Sequence, residues 1–331
     1  MRIVVTGASG FVGGHVVKAL VEAGHEVTCI VREMSNRKRL QPLGVGFEIA
    51  DVTDAESLRP AFAGAEAVIH LAALLKVPWR ATFIDDNVAG AAAVCDAVAA
   101  QPTPPVLIYC SSIAATGPAG QGRARVETDE PAPVSRYGRA KMLSEARVRS
   151  YADRLAATIV RPPMVMGEHD WASLPLYRMA QRGLFVAPRV SARKLSIVDV
   201  QDLAAVMAAV VERGQRVVSD EPSRGAYFLC SDEHPTFPEL GAMLGAATGG
   251  NAPFVLRIPG PLTQVAAAMG ELIGRVTDKP TVLNLDKAAE GLAGHWWCSS
   301  QRAVDGLGWH PRPLADTLGR TAAWYRDQQW L

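Results

Sequence analysis

The chain has 331 residues, 49% hydrophobic content and a formal net charge of +1 at pH 7. This length and content are enough for a large core arranged in two lobes, and the near-neutral charge gives no reason to expect a nucleic acid or an anionic membrane as partner. The first strand-like run begins at Arg2, which leaves no room for a signal peptide, and four prolines in the uncharged stretch 97–122 argue against a membrane span.

The first informative feature is a glycine-rich turn between a strand and a helix. Residues 2–6 read as a short buried strand, Gly7, Gly10 and Gly13 follow at three-residue intervals, and a helical apolar pattern then leads to a second strand at 27–31. A glycine-rich turn without a ligand is the alternative, but this strand–turn–helix–strand context favours a dinucleotide pyrophosphate at the helix N-terminus. The expected contacts come from Gly7, Ser9, Gly10, Phe11, Val12 and Gly13.

The residues after the second strand predict which dinucleotide binds. Proteins that use NAD usually have an acidic residue there to bond the adenosine 2′-hydroxyl, whereas this chain has Arg32, followed by a cationic stretch at 37–39. A guanidinium suits a 2′-phosphate, although Glu33 competes one position later and some of the cations are expected to form a solvated face. The sequence therefore favours NADP(H), with NAD(H) possible.

Strands and helices alternate through the first half of the chain. Apolar runs predict strands near 45–50, 66–72, 105–110 and 157–161, and helical patterns lie between them near 54–63, 81–100 and 136–153. This alternation predicts an α/β protein with a Rossmann-type, doubly wound parallel sheet.

The second half predicts a smaller, mainly helical C-terminal lobe that binds substrate. We expect a dinucleotide-binding domain at 1–165, to which segments 194–205 and 225–232 return, and a substrate lobe at 166–331. Two strand-like runs, 195–200 and 226–230, are expected to rejoin the first sheet. An amphipathic stretch from Pro261 to Val276 either closes over substrate or packs in a dimer.

A proton-transfer group is predicted after the fifth strand. Tyr137 and Lys141 are four residues apart and share one helix face. A free tyrosine has a pKa near ~10, which an adjacent ammonium would lower towards neutrality. Ser111 and Ser112 end the preceding strand, where hydroxyls point to the ligand crevice of a parallel sheet. One of them is expected to bond the substrate oxygen, and the other to cap the strand end.

The remaining polar residues give little sign of other chemistry. The five cysteines lack C-x-x-C spacing and several fall in strands, so we expect buried reduced thiols in a cytoplasmic protein. The seven histidines form no ligand motif, so no metal is expected.

These motifs, in this order, resemble the extended short-chain dehydrogenase/reductase superfamily, especially its NAD-dependent epimerase/dehydratase and 3β-hydroxysteroid dehydrogenase-like branches. The resemblance covers nearly the whole chain. Beyond the motifs above, it includes Asp51 and Val52, the run from His70 to Ala73, Asn87, the run from Arg161 to Pro163, and the run from Trp324 to Arg326.

The resemblance implies several further cofactor contacts. Asp51 would bond the adenine amino group, with the Val52 backbone beside it. Leu71, Ala72 and Ala73 would line the path to the nicotinamide ribose, which Lys141 would also bond. The backbone at Pro163 and Met164 would approach the carboxamide, and Ser112 is the better match to the family's catalytic hydroxyl. Asn87 resembles a structural asparagine, and a homodimer would follow family precedent.

One departure from the family pattern bears on the substrate. Nucleotide-sugar members often carry Asn and Tyr after the sixth strand, where this chain has Met164 and Met166. The methionines favour either a more apolar pocket or core filling, and Trp79 and Trp171 would add pocket walls or pack elsewhere.

The leading hypothesis is an NADP(H)-dependent oxidoreductase that interconverts a ketone and a secondary alcohol on a small hydrophobic substrate, with Ser112, Tyr137 and Lys141 as catalytic residues. A nucleotide-sugar epimerase or dehydratase with tightly held NAD(P) is the alternative, which would need basic side chains for a diphosphate, such as Arg178, Arg182, Arg189 or Arg193. A non-catalytic dinucleotide sensor is a third possibility, because a fold does not imply a function.

Overall fold

The computed structural model describes residues 1–74, 79–120, 122–189, 192–277, 281 and 283–331. The strands in chain order are β1 (Arg2–Thr6), β2 (Glu26–Val31), β3 (Gly46–Ile49), β4 (Ala67–His70), β5 (Val106–Cys110), β6 (Ala157–Arg161), β7 (Met164–Met166), β8 (Leu184–Pro188), β9 (Ile197–Asp199), β10 (Ala226–Phe228) and β11 (Phe254–Ile258).

The helices are α1 (Phe11–Glu22), α2 (Ala55–Phe62), α3 (Phe83–Ala99), α4 (Arg136–Arg149), α5 (Leu174–Gln181), α6 (Val200–Arg213), α7 (Phe237–Ala247), α8 (Gly260–Thr277), α9 (Leu285–Leu292), α10 (Gln301–Leu307) and α11 (Leu314–Asp327). Short 3-10 turns cover Gln41–Leu43 and Ile113–Ala115.

Seven strands form one parallel sheet in the order β10-β6-β5-β4-β1-β2-β3. The strand order reverses between β1 and β4, and ligands bind at such a switch point, outside the carboxyl ends of the strands. The predicted doubly wound, Rossmann-type sheet is therefore confirmed.

Alternate residues along each strand pack into two separate cores, because successive side chains point to opposite faces of the sheet. Ile3 and Val5 pack with α1, α6 and α10 on one face, whereas Val4 packs with α2, α3 and α4 on the other. Coverage on both faces explains why the strands are apolar throughout rather than alternating.

The two strand-like runs of the second half reach the first lobe by different routes. β10 pairs with β6 at the edge of the main sheet, as expected for 226–230. The expectation for 195–200 was wrong in its pairing: β9 pairs with β7 in a separate two-stranded sheet. The chain returns to the first lobe one step later, where α6 packs on α1. The division into domains at 1–165 and 166–331 stays a prediction.

The C-terminal part has its own core and one exposed helix. Side chains from α5, α7 and α11 pack around the buried Tyr177 and Tyr325, and β8 pairs with β11 in a parallel two-stranded sheet. Helix α8 packs on α9 and buries Ala267 and Glu271. Its outer face exposes a row of large apolar side chains, namely Leu262, Val265, Met269, Leu272, Ile273 and Val276.

The cysteines are free thiols, of which Cys29, Cys95, Cys230 and Cys298 are buried and Cys110 is partly buried. Across the described ranges, no helix is both long and apolar enough to cross a bilayer.

Two isoleucines of the main sheet provide a matched test of this packing. Ile69 is fully buried in the central strand β4, whereas Ile49 in the edge strand β3 is 63% exposed. We expect Ile69→Ala to lower the free energy of unfolding by about 2–5 kcal/mol, because it leaves a cavity in the core, and Ile49→Ala to change it by less than about 1 kcal/mol. Urea unfolding measures both, and equal losses would contradict the observed sheet order.

Candidate active site

The glycine turn has the geometry that a pyrophosphate requires. Gly7 has φ of 71°, and a β-carbon there would lie 2.7 Å from the backbone nitrogen of Ala72. A β-carbon at Gly13 would lie 2.2 Å from the carbonyl oxygen of Gly7. Only glycine fits these two positions, because the turn, the end of β4 and the start of α1 converge there.

The first turn of α1 is suited to an anion. Gly10 is its N-cap and provides no side-chain hydrogen bond, and the first turn contains no acidic residue. The backbone N–H groups of such a turn, together with the helix dipole, favour a negative group beside them. The residues present at this turn therefore fit a dinucleotide pyrophosphate.

Arg32 and Asp51 lie near one another at the ends of β2 and β3. Asp51 accepts hydrogen bonds from the backbone N–H and the hydroxyl of Thr53, at 2.9 and 2.8 Å. These bonds, assisted by the positive charge of Arg32, hold the pKa of Asp51 below its ordinary value. Both side chains are exposed at the edge where the adenosine half of a dinucleotide would lie.

A second cation, Arg39, lies against helix α1. Its guanidinium packs on Gly14, where a β-carbon would come within 2.9 Å of it. Burial lowers the pKa of Arg39, and the nearby carboxylate of Glu168 opposes that shift. The sequence placed Arg39 within a cationic stretch without singling it out, since its contact with Gly14 depends on the path of the loop after β2.

The end of β4 is joined to the end of β1 through His70. The hydroxyl of Thr6 lies 2.7 Å from Nδ1 of His70 and 3.4 Å from the backbone nitrogen of Ala72. Burial and the charge of Lys141 lower the pKa of His70 to about 3, so this imidazole is neutral at physiological pH. Leu71, Ala72 and Ala73 follow as a partly buried segment.

Asn87 holds the continuation of this segment. Its amide accepts a hydrogen bond from the backbone of Leu74 at 3.0 Å and donates one to the carbonyl of Phe83 at 2.8 Å. These partners are all backbone groups, so Asn87 ties the chain after β4 to the first turn of α3.

The two serines after β5 have different partners. The hydroxyl of Ser111 donates to Oε1 of Glu145 at 2.5 Å. Ser112 accepts a hydrogen bond from the backbone of Ala114 at 3.1 Å, and its hydroxyl lies near enough to the phenol of Tyr137 to oppose the rise in that phenol's pKa. Ser111 is thus occupied by an acid on α4, which leaves Ser112 as the hydroxyl beside the tyrosine.

Glu145 also binds Arg161, and this buried ion pair joins α4 to the end of β6. The guanidinium donates to both carboxylate oxygens, at 2.9 and 2.6 Å. Burial raises the pKa of Glu145, but the charge and hydrogen bonds of Arg161 outweigh it, so the net pKa is lowered. Sequence reasoning missed Glu145, although its spacing of four from Lys141 and eight from Tyr137 places all three on one helix face.

Tyr137 lies in the first turn of α4 and keeps its proton. Burial raises the pKa of its phenol well above the ordinary value, and the hydrogen bond from Ser112 opposes this shift only in part. The sequence predicted that Lys141 would lower this pKa, and in the structure the net direction is the opposite. The phenol is therefore protonated at neutral pH.

Lys141 lies one turn further along α4, with its ammonium directed at the end of β5. Nζ donates to the carbonyl oxygen of Cys110 at 2.7 Å and lies 5.1 Å from the centre of the Tyr109 ring. Burial lowers the pKa of Lys141. The side chain is 4% exposed, so it occupies a fixed position between the sheet and α4.

The two methionines after β6 differ in their surroundings. Met166 is fully buried in the C-terminal core, so it fills space there rather than lining a pocket. Met164 is 36% exposed and follows Pro163 at the carboxyl end of β6, the edge where Ser112 lies. Trp171 is half exposed.

Of the four arginines considered for a diphosphate, two are bound to backbone carbonyls. Arg178 donates to the carbonyl of Trp330 at 3.0 and 2.7 Å, and Arg193 donates at 2.5 Å to that of Leu292. Arg182 and Arg189 are exposed beside β8. Within the described residues, no group of three or more His, Cys, Asp or Glu side chains is placed to hold a metal ion.

The chain matches known proteins along its whole length. The profile of the NAD-dependent epimerase/dehydratase family matches residues 3–222. Among curated proteins, the chain is 30% identical to a ceramide reductase of Caulobacter vibrioides, over 99% of this chain and 96% of that protein. It is 27% identical to a 4-hydroxy-2-methyl-3-oxo-4-farnesyl-3,4-dihydroquinoline-1-oxide ketoreductase of Stigmatella aurantiaca, over 93% of this chain and 96% of that protein.

The fold is also shared with a solved sugar-nucleotide enzyme. The UDP-glucose 4-epimerase of Thermotoga maritima superposes with a TM-score of 0.78 and 21% identity, over 99% of this chain and 100% of that chain.

The Glu145–Arg161 pair makes a testable contribution to stability. We expect Glu145→Gln to lower the free energy of unfolding by about 3–5 kcal/mol, because it leaves the guanidinium buried and unpaired. The exposed pair of Glu56 with Arg59 is the control, and Glu56→Gln should cost less than about 1 kcal/mol. Urea unfolding measures both variants, and similar losses would contradict a buried ion pair.

The pH dependence provides a second measurement on the same pair. Since the pKa of Glu145 is lowered in the folded state, its stabilisation is present above the ordinary carboxyl pKa and is lost as the pH falls through the folded-state value. The difference in unfolding free energy between wild type and Glu145→Gln should therefore shrink on acidification.

Proposed function

Because the chain belongs to the NAD-dependent epimerase/dehydratase family, within the extended short-chain dehydrogenase/reductase superfamily, we propose that it is an NADP(H)-dependent oxidoreductase that interconverts a ketone and a secondary alcohol on a small, hydrophobic substrate. The observation that carries this proposal is the hydroxyl of Ser112 beside the buried, protonated phenol of Tyr137, with Lys141 on the next turn of the same helix.

The protein's own residues act on the substrate oxygen. The hydroxyl of Ser112 orients the carbonyl and shares the charge that develops on its oxygen, while the phenol of Tyr137 transfers its proton to that oxygen. Bound NADPH supplies the hydride. Lys141 holds the ribose and offsets the negative charge left on the tyrosine.

The raised pKa of Tyr137 favours ketone reduction at neutral pH. A phenol that keeps its proton is ready to act as an acid, whereas alcohol oxidation first requires its ionised form. We therefore infer that the rate of alcohol oxidation rises with pH.

The cofactor preference rests on two cations. Arg32 lies near Asp51 at the adenosine edge and Arg39 packs on the first turn of α1, and we propose that both contact a 2′-phosphate. Arg39 therefore joins Arg32 in the proposed NADP(H) site.

The substrate class rests on apolar surface and on the named relatives. Met164 exposes apolar surface at the carboxyl edge of the sheet, where the family's sugar-nucleotide members often carry asparagine. The related ceramide and farnesyl-dihydroquinoline reductases are named for substrates with long apolar chains. A homodimer and a cytoplasmic location stay predictions from the sequence.

A sugar-nucleotide epimerase or dehydratase is the second candidate, since the fold is shared with a UDP-glucose 4-epimerase. Two of the four arginines considered for its diphosphate bind the carbonyls of Trp330 and Leu292 instead, which weighs against it. A screen that follows NADPH oxidation and NADP⁺ reduction with ketones, alcohols and nucleotide sugars separates the two. Turnover of a nucleotide sugar without net cofactor oxidation would favour the second candidate, and no turnover with any substrate would revive a cofactor sensor.

Tyr137→Phe tests the proton donor. We expect turnover to fall by about 10²- to 10⁴-fold, since general acid catalysis is removed, with the Kd for NADPH changed by less than about threefold, because Lys141 and the glycine turn remain. Tyr151→Phe is the control, since its hydroxyl bonds Asp96 at 2.6 Å rather than Ser112. Retained turnover in Tyr137→Phe would overturn the assignment.

Arg32→Ala and Arg39→Ala test the cofactor preference. Each should weaken NADPH binding by about 10- to 100-fold, since a charge-assisted hydrogen bond to a phosphate is lost, and should weaken NADH binding much less. Lys38→Ala, an exposed cation of the same loop, is the control. Titration of both cofactors by fluorescence measures the ratio, and equal losses for NADPH and NADH would rule out 2′-phosphate recognition.

A further inference from the structure

The first two backbone N–H groups of α4 donate to a side chain from a distant part of the chain. The first turn of this helix has no acidic residue of its own. The backbone N–H groups of Arg136 and Tyr137 instead donate to the two carboxylate oxygens of Asp286, at 2.6 and 3.1 Å. The next N–H, of Gly138, donates to the N-cap hydroxyl of Ser135 at 2.9 Å. The N–H groups of the first three residues of this helix are thereby bound.

A second acid on α9 binds the N-cap itself. The hydroxyl of Ser135 donates to Oε1 of Glu290 at 2.7 Å, and Lys287 donates to the other oxygen of Glu290 at 2.7 Å. The ammonium of Lys287 also lies 5.6 Å from the centre of the Tyr137 ring. We name Asp286, Lys287 and Glu290 the α9 clamp. Its two carboxylates bind the start of α4, and its ammonium lies near the ring of Tyr137.

The α9 clamp binds the start of α4 through charge-assisted hydrogen bonds. A carboxylate that accepts two backbone N–H groups at a helix N-terminus gains from both the hydrogen bonds and the helix dipole. Asp286 also lies in the first turn of its own helix, after the N-cap Asn284. Burial raises the pKa of Asp286, and the hydrogen bonds from Arg136 and Tyr137 oppose that shift. These contacts hold α9 to the residue that carries the phenol.

We propose that Asp286 and Glu290 are positioning residues, which fix the first turn of α4 so that Tyr137 is aligned for proton transfer only when α9 is docked on it. The proposal rests on the proposed function, in which Tyr137 is the proton donor. In this proposal α9, which belongs to the C-terminal segment, helps to align the proton donor in addition to any contact of that segment with substrate.

The clamp acts on Tyr137 more than on Lys141. Tyr137 is the second residue of α4 and its own N–H is bound by Asp286. Lys141 lies one turn deeper and is held by the carbonyl of Cys110. Loss of Asp286 therefore loosens the phenol and leaves the ammonium in place, so the catalytic step slows while cofactor binding is kept.

Glu290 has a separate electrostatic effect. Its negative charge contributes to raising the pKa of Tyr137, after the larger effect of burial. Among the described residues, the other groups that act on or lie beside this phenol are the hydroxyl of Ser112, the thiol of Cys110, the phenol of Tyr109 and the ammonium of Lys287. Glu290→Gln removes one negative charge, so the ionisation of Tyr137 should move to lower pH.

Hydrogen exchange of the full-length protein tests the clamp without an activity assay. In Asp286→Ala, the amides of Arg136 and Tyr137 should exchange about tenfold faster, because their shared acceptor is lost. Thr236→Ala is the matched control: it removes a capping box at the start of α7, elsewhere in the C-terminal part, and should leave these two amides unchanged. Unchanged exchange in Asp286→Ala, or equal acceleration in the control, would overturn the clamp.

Kinetics then test positioning. We expect Asp286→Ala to lower kcat by about tenfold, since misplacement of an acid slows the chemical step, with the Kd for NADPH unchanged. Asp286→Asn, which keeps one oxygen acceptor, should retain more activity, and it serves as the readout if the alanine variant does not fold. Glu290→Gln should move the pH profile of alcohol oxidation to lower pH.

The outcomes separate the two proposals. If wild type and Tyr137→Phe turn over equally, the proposed function fails, while the exchange experiment still decides whether the clamp exists. If Tyr137→Phe is inactive and Asp286→Ala keeps full kcat with an unshifted pH profile in Glu290→Gln, the positioning role is overturned and the proposed function stands.

Discussion

The buried pair of Glu145 with Arg161 is the interaction on which the site geometry depends. It ties α4 to the end of β6, and its carboxylate also takes the hydroxyl of Ser111. A buried carboxylate needs such partners, because desolvation would otherwise neutralise it. Ser111 donates its hydroxyl proton to Glu145, whereas the hydroxyl of Ser112 lies beside Tyr137. The same pair therefore anchors helix α4 and gives Ser111 a partner that Ser112 does not share.

The opposite end of α4 depends on a different part of the chain. Glu145 lies near the carboxyl end of the helix and binds residues 16 and 34 positions away in the chain, whereas Asp286 binds its first turn across a separation of 149 residues. A helix fixed at both ends presents Tyr137 and Lys141 in one rigid frame. Burial then raises the pKa of the phenol, so the fold favours proton donation over proton removal at neutral pH. Helix α9 and helix α4 are thus joined by the same contacts of Asp286 that fix the first turn of α4.

Some features of this protein were predictable from local sequence patterns, and others were not. The glycine turn was predictable because the spacing of Gly7, Gly10 and Gly13 between a strand and a helix is a local pattern, and the structure explains two of the three glycines by the positive φ of Gly7 and the close backbone approach at Gly13. The apolar strands were predictable because a parallel sheet covered on both faces needs continuous apolar runs. The pairing of β9 with β7 was not predictable, since a three-residue strand carries no signal for its partner.

The sequence by itself determined the doubly wound sheet, the dinucleotide turn and the pairing of Tyr137 with Lys141, because each depends on spacing within one or two neighbouring elements. Only the tertiary structure decided which serine faces the tyrosine, that Met166 belongs to the core, that Arg39 reaches α1, and that Asp286 binds α4. It also reversed the expected pKa shift of Tyr137. Each of these depends on burial or on contacts between residues far apart in the chain, which no local pattern encodes.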